Sequence, residues 1–436
     1  MNEASAWRGG RIALTLLLLS IVAGCAPAPA KGPWSPRTPP GGEARTIFGD
    51  RLAFGLRNDP PDLGWMVESG IPWAARYTYL AGGVNTGAGW ATWSATPGAY
   101  AAEYASKSAA AGYIPIFSYY QLQQSKPGNG ASEAERDYAN LADPQTMRAY
   151  YEDFTLLLRN LARSPRPPIV QVEPDLWGYL EQRSSNPASI AASVASSGYA
   201  DVASQPNNAA GFARALLDLR DRYAPNVLLA IHASAWGAGR DPVVSTAEFD
   251  PVPLADASAK FLRSLDRAGG WDLVFHDMID RDAALAQPAD GRRAWWDPTD
   301  ETVPDFARWL AYVHELSRAL DRRIVVWQVP IGNQRYRTMD NSAGHYQDTR
   351  AEYFLAHANL LADAGVAAVL FGPGIDNATW YTDARKDGIT NPDPVSAFGC
   401  DRCNTEISRF ADDDGGFLRV TVGAYYRSGG VVLPSP

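Results

Sequence analysis

The sequence predicts an α/β fold, a single (β/α)8 barrel of TIM type with long post-strand loops. Three observations predict it. From Thr46 onward, short β-rich runs alternate with segments of helical periodicity, and eight such units can be counted. Runs such as Ile324-Val325-Val326 and 366–370 are apolar on both faces, as strands of an all-parallel sheet covered by helices must be. Long stretches rich in Gly, Pro and polar residues follow several of the runs, where a barrel carries its functional loops.

The runs, in order, are RLAFGLRND (51–59), WAARYTYLAGG (73–83), YIPIFSYYQL (113–122), PIVQVEPDLW (168–177), VLLAIHASAW (227–236), WDLVFHDMID (271–280), RIVVWQVPIG (323–332) and GVAAVLFGPG (365–374). Among the intervening helices, Phe306, Trp309, Leu310, Val313, Leu316 and Leu320 form one apolar stripe after Pro304. Phe212, Ala215, Leu216 and Leu219 mark a second, and Thr349 with Glu352 has capping-box spacing for a third. The chain from Thr46 is longer than the about 250 residues usual for this barrel, so the surplus is assigned to loops at 84–99, 123–141, 179–207, 281–301 and 332–348. The tail after Gly374 is expected to end in a short strand pair, 417–422 with 430–433.

Residues 1–24 have the layout of a cleavable export signal: Arg8 and Arg11, an apolar run from Ile12 to Val22, then small residues before Cys25. The run is too short to span a bilayer. Val22-Ala23-Gly24-Cys25 resembles the lipobox of bacterial lipoproteins, which implies that Cys25 carries a diacylglycerol and anchors the chain to a membrane. Residues 25–45 are rich in Pro, Ala and Gly and read as an extended tether, leaving 46–436 as the barrel domain and its tail. Cys400 and Cys403, in GCDRCN, are expected to form a small disulfide loop. Half of a zinc site is the alternative, although no second Cys or His pair of matching spacing lies nearby.

A net charge of -9, with Lys and Arg scattered, gives no basic footprint for nucleic acid. The 14 Trp and 20 Tyr point elsewhere, because aromatic faces stack on the apolar faces of sugar rings. Tyr77, Tyr79, Trp90, Trp93, Tyr119, Tyr120, Trp177, Trp236, Trp295, Trp296, Trp327 and Trp380 all fall at strand ends or in post-strand loops and are expected to line a groove. An aromatic-rich core is the plainer reading; it explains Trp73 and Trp309 better than Trp90 or Trp296.

In this fold chemistry sits where strands end. The fourth run places Gln171, Glu173 and Asp175 in alternation, so both acids are expected to face the barrel mouth. The fifth contributes His232, Ser234 and Trp236, the sixth His276, Asp277 and Asp280, the seventh Trp327 and Gln328. Two carboxyl groups flanking a bond are what glycoside hydrolysis requires, with Glu173 and Asp277 the first pair to consider and Asp175, Asp280 and Asp59 behind them. The competing reading has Glu173 and Asp175 pairing with Arg76 or Arg57 in a buried network that does no chemistry. Arg76, Tyr77, Tyr79, Tyr119, Trp177, His232, Trp236, His276, Trp327 and Gln328 complete the expected substrate-binding set.

Glu173-Pro174-Asp175 resembles two kinds of glycoside hydrolase. In clan A barrels the general acid is the Glu of an Asn-Glu-Pro segment ending the fourth strand, which implies Glu173, with Val172 in place of Asn. In family six cellulases a strand ends Glu-Pro-Asp, which implies Asp175 as the acid, and a later strand is similar to LLAIHASAW. The chain departs from clan A at the seventh strand, where Gln328 stands in place of the nucleophilic Glu, and an inverting pair about 6.5 to 9.5 Å apart suits acids on different strands better. As a whole the chain resembles uncharacterised secreted bacterial barrels of glycoside hydrolase architecture.

No phosphate-binding GxxxxGK, dinucleotide GxGxxG or GxSxG elbow occurs, and His314-Glu315 lacks the second His of a zinc helix. Asp383, Asp387 and Asn391 have part of a calcium-loop spacing, but Arg385 and Pro394 occupy ligand positions. His345 to Asp348 reads either as a substrate loop or as a helix N-terminus favoured by Asp348. The sequence thus implies a membrane-anchored glycoside hydrolase acting on a polysaccharide without a cofactor or metal. A non-catalytic glycan-binding lipoprotein, favoured by Gln328, is the alternative.

Overall fold

The computed structural model describes residues 47–434, apart from 268–269, 280, 342–343, 375–377, 394–398 and 401. Cys25, the export signal, the tether and Asp280 lie outside the described residues. Eight strands, β1 (Ala53–Arg57), β2 (Ala75–Leu80), β3 (Ile114–Tyr119), β4 (Ile169–Val172), β5 (Leu228–His232), β6 (Leu273–Asp277), β7 (Ile324–Pro330) and β8 (Val366–Gly372), pair in parallel, each with the next. β8 also pairs with β1 and closes the barrel. Each falls inside one of the eight runs.

Register decides which side chains point inward. Tyr79, Ser118, Gln171, Ala230 and Leu273 are successive Cα partners around the wall. His232 pairs with Phe275, and Asp277 with Trp327. Neighbours in register share a face, and the ring contacts Tyr77–Trp327 at 5.8 Å and Phe275–Trp327 at 6.5 Å show that this face is the interior. The alternate residues face the helices. Arg76 lies over Tyr104 of the helix Ala99–Ala110 at 4.0 Å, and Tyr119 meets Phe154 of the helix Pro144–Leu161 at 5.3 Å. His276 meets Tyr312 of the helix Asp305–Leu320 at 5.4 Å.

Among the described residues no helix is long and apolar enough to cross a membrane. Residues 417–422 are not a strand: they open the helix Phe417–Arg427. Leu418, Val422 and Tyr425 recur at helical spacing on its buried face, and Asp414 Oδ2 accepts from Leu418 N at 3.0 Å in its first turn. The helix seats at the start of β1, where Tyr425 Oη donates to Leu52 O at 2.8 Å and Phe54 N donates to Tyr426 Oη at 2.9 Å. Nor does Thr349 form a capping box. Its hydroxyl donates to Trp296 O at 3.0 Å, while Glu352 Oε1 accepts from Gln334 N at 3.1 Å, so tertiary partners take both groups.

Between β5 and β6 the wall is tied from outside by Arg220, which is fully buried. Its guanidinium pairs with Asp272, donates to Gly270 O at 2.8 Å and reaches Asp221 at 2.7 Å, while Asp272 Oδ2 accepts from Leu229 N at 2.8 Å. Removing one member of such a pair strands a buried charge. Arg220→Met is expected to destabilise the chain by about 3–5 kcal/mol in denaturant unfolding. Adding Asp272→Asn should recover part of that loss.

Candidate active site at the barrel mouth

Four inward residues form the floor of the mouth. Trp327 contacts Tyr77, Tyr79 at 5.9 Å and His232 at 5.8 Å. Its indole N–H donates to His232 Nε2 at 3.0 Å, while His232 Nδ1 lies 3.1 Å from Ser234 Oγ. Burial, reinforced by the nearby His276, pulls the His232 pKa down to about 3, so the ring is neutral at ordinary pH. Asp277 Oδ1 stands 3.3 Å from the same Nε2. With the Nε2 lone pair taken by the Trp327 N–H, the neutral ring has neither a proton nor a second lone pair to offer Asp277 there, so this approach is a close contact without a counter-charge.

A second carboxylate enters from β1. Arg57 keeps the inward parity of Gly55, and its Nη2 pairs with Oδ2 of Asp59, just past the strand end, at 3.3 Å. Thr78 Oγ1 donates to Asp59 Oδ1 at 3.4 Å. The guanidinium spans Tyr79 at 5.3 Å and Trp380 at 5.7 Å, joining the β1 corner to the aromatic floor. Asp277 and Asp59 both reach solvent, with side chains 21% and 35% exposed. Burial and the neighbouring Asp59 raise the Asp62 pKa, which enriches this corner in carboxyl groups.

Gln328 reaches the mouth through a backbone irregularity. The β7–β8 register shifts between Val326 and Val329, and Gln328 has φ of 54°. By parity with Trp327 it would face outward; the bulge turns it so that Nε2 donates to Tyr79 Oη. Glu173 shows the opposite turn. Its parity with Gln171 predicts an inward side chain, but its φ of 45° sends the carboxyl into the wall, where Oε1 accepts from Gln121 N and Leu122 N at 3.1 Å each. Glu173 is fully buried, and its Oε2 also accepts from Leu122 N at 3.3 Å. Burial pushes its carboxyl up to about 8, against the pull of the Gln121 N–H.

Several expected site residues therefore lie elsewhere. The supposed alternation of Glu173 and Asp175 ends at Val172, because Pro174 opens the helix Pro174–Arg183 and places Asp175 in its first turn, beside Tyr120. Arg76, Tyr119 and His276 face outward and serve packing. His276 Nδ1 is bound to Ala233 O at 2.7 Å and its Nε2 accepts from Trp309 at 3.1 Å, and burial holds its pKa down at about 4. Trp177 stacks on Phe212 at 5.8 Å behind the wall and donates to Val172 O at 2.7 Å. Trp90 and Trp296, expected in a groove, are core residues, the first bonded to Asp153 at 2.7 Å and the second packed on Phe306 at 4.9 Å. Trp93 stays 44% exposed after β2. Trp236 tilts against Tyr179 at 4.8 Å beside Gly178, where a Cβ would come within 2.6 Å of its ring. No sequence motif marks Arg57 as a site residue, but strand parity with Gly55 does.

Among the described residues no group of three or more His, Cys, Asp or Glu is arranged to hold a metal. Asp383 accepts from Asp387 N and Gly388 N, closing a turn on itself. Asp348 is buried against Arg350 and accepts from Ala283 N at 2.7 Å, which makes 345–348 part of the packing. Cys400 and Cys403 are joined as a disulfide.

No protein-family model matches the chain, and no curated protein is significantly similar to it. Among solved structures it is similar to a family 26 β-mannanase from Bacteroides ovatus, at 12% identity over 89% of this chain and 94% of that one, TM-score 0.45. It is also similar to a mannanase of Bacillus subtilis, at 11% identity over 79% and 91%, TM-score 0.43. The catalytic domain of a family 53 protein from Ignisphaera aggregans follows at 14% identity over 77% and 82%, TM-score 0.41. The barrel assignment itself rests on the strand pairing.

Proposed function

We propose that the chain is a glycoside hydrolase acting on a polysaccharide, with Asp277 as proton donor and Asp59 as the second carboxylate. One observation carries this reading: two solvent-reaching carboxyl groups, one beside His232 of the floor and one joined to the floor through Arg57, stand in chemically different settings. Asp277 lies 3.3 Å from Nε2 of a neutral imidazole, and Asp59 lies 3.3 Å from a guanidinium. A glycosidic bond needs that division, one carboxyl to protonate the leaving oxygen and one anion to attack or to activate water. Tyr79 and Trp93 supply faces for sugar rings. In this reading Glu173 has no catalytic role. Its carboxyl holds the loop after β3 to β4, an arrangement that supports the mouth without touching substrate. A lipid on Cys25 would hold the barrel at a membrane surface, where polysaccharide is met.

A non-catalytic glycan-binding role is the second reading. It is favoured by Gln328, whose amide is tied to Tyr79 at the end of the seventh strand.

Reducing-sugar release from a panel of plant, fungal and bacterial polysaccharides separates the two. Hydrolysis by the full-length protein should fall by about 10²–10⁴-fold in Asp277→Asn and in Asp59→Asn, and should survive within a few-fold in Glu173→Gln. Retention of a glycan on an affinity gel without release would establish the binding role instead. A melting series tests the placement of Glu173. A carboxyl raised from 4.5 to about 8 by burial gives stability that is complete below 4.5 and lost as pH climbs through 8. The wild-type melting temperature should therefore drop more steeply between pH 6 and 9 than that of Glu173→Gln, and parallel curves would refute the burial.

A further inference from the structure

A cleft of about 430 Å³ lies outside the barrel wall, between the helix Pro174–Arg183, the loop after β5 and the helix Val252–Leu265. The volume is in the range that takes small ligands. Glu181 and Lys260 both line it, together with Gln182, Phe261 and the backbone of 237–239. Ser258 Oγ donates to Glu181 Oε1 at 2.9 Å, and Tyr312 Oη in turn donates to Ser258 at 3.3 Å, which fixes the rear of the carboxyl from the core side. Gly237 leaves room for the other oxygen; a Cβ there would lie 2.4 Å from Oε2. Burial raises the Glu181 carboxyl to about 7, and the one opposing influence is the Ser258 hydrogen bond, so no nearby cation offsets its charge. Among the described residues neither Glu181 nor Lys260 forms an ion pair.

Two opposite charges thus line one cleft without meeting. We propose that this cleft binds a small zwitterion, a free amino acid or a short peptide, with its ammonium on Glu181 and its carboxylate on Lys260. A neutral polyol would leave the half-buried carboxylate without a counter-charge, whereas a zwitterion neutralises both ends in one step. Phe261 and the small residues of the loop give its side chain an apolar bed.

Titration calorimetry at pH 8 on the full-length protein tests this with glycine, phenylalanine and alanyl-alanine, each beside its N-acetyl and C-amide form. At least one free zwitterion should bind, and blocking either end should weaken it by at least about tenfold. Glu181→Gln should remove the preference for a free ammonium and Lys260→Met the preference for a free carboxylate, with melting temperatures close to wild type because both side chains open to solvent. No heat from any zwitterion at millimolar concentration would overturn the proposal. So would binding that is indifferent to both substitutions.

Discussion

The mouth of this barrel depends on one hydrogen bond, from the indole of Trp327 to Nε2 of His232, 3.0 Å long and buried. It fixes the imidazole in a single neutral tautomer, because a ring nitrogen that accepts cannot also carry the proton. It also pins the indole across the barrel, where Tyr77, Tyr79 and Phe275 pack on it. The orientation of those rings, and the absence of an N–H facing Asp277, follow from that contact. The same device recurs one layer outside the wall, where Trp309 donates to His276. There the pair packs against Tyr312 on the helix side of the wall, whereas Trp327 and His232 face the barrel interior.

Two residues at strand ends decide what enters the mouth by adopting left-handed backbone, which costs a non-glycine residue about 1–2 kcal/mol. Gln328 is turned inward and Glu173 outward. Each turn is held by side-chain hydrogen bonds that straight strands would not form, to Tyr79 in the first case and to the amides after β3 in the second. Strain that persists at the ends of barrel strands concentrates at functional rims. Here it exchanges a carboxyl for an amide at the floor, which is why the proposed function draws its carboxyls from β1 and β6 and not from β4.

That exchange explains how far the sequence could be read. All eight strands were legible, because burial on both faces writes continuous apolar runs and turn residues bound them. The helix at 417–427 was misread as a strand since its stripe, Leu418, Val422 and Tyr425, is short and is interrupted by Val420 and Tyr426. Proximity to a strand end was a poor guide to which side chains face the interior: of neighbouring residues such as Tyr119 and Ser118, or His276 and Asp277, parity sends one outward and one inward. Parity alone would have excluded Arg76 and His276 and recovered Arg57. It could not have placed Gln328 or Glu173, whose directions are set by a bulge and a positive φ that tertiary partners stabilise. Nor could composition show that most of the aromatics serve the core, as Trp90, Trp177 and Trp296 do.

The proposed division of labour between the two mouth carboxyls follows from their neighbours more than from their positions. A carboxyl against a guanidinium is favoured as the anion, since separation of the pair would expose two charges to a partly apolar surround. A neutral imidazole gives a carboxyl beside it no counter-charge, which favours the neutral acid over the anion. His232 can keep that character because burial and His276 make its protonated form costly. The tryptophan that orders the floor therefore also bears on the proposed acid: with Trp327 Nε1 on Nε2, the ring's proton is kept off that nitrogen and the imidazole gives Asp277 no N–H. Were that indole withdrawn, His232 could turn its N–H toward Asp277 and favour the anion, leaving two carboxylates and no proton donor over the same aromatic floor.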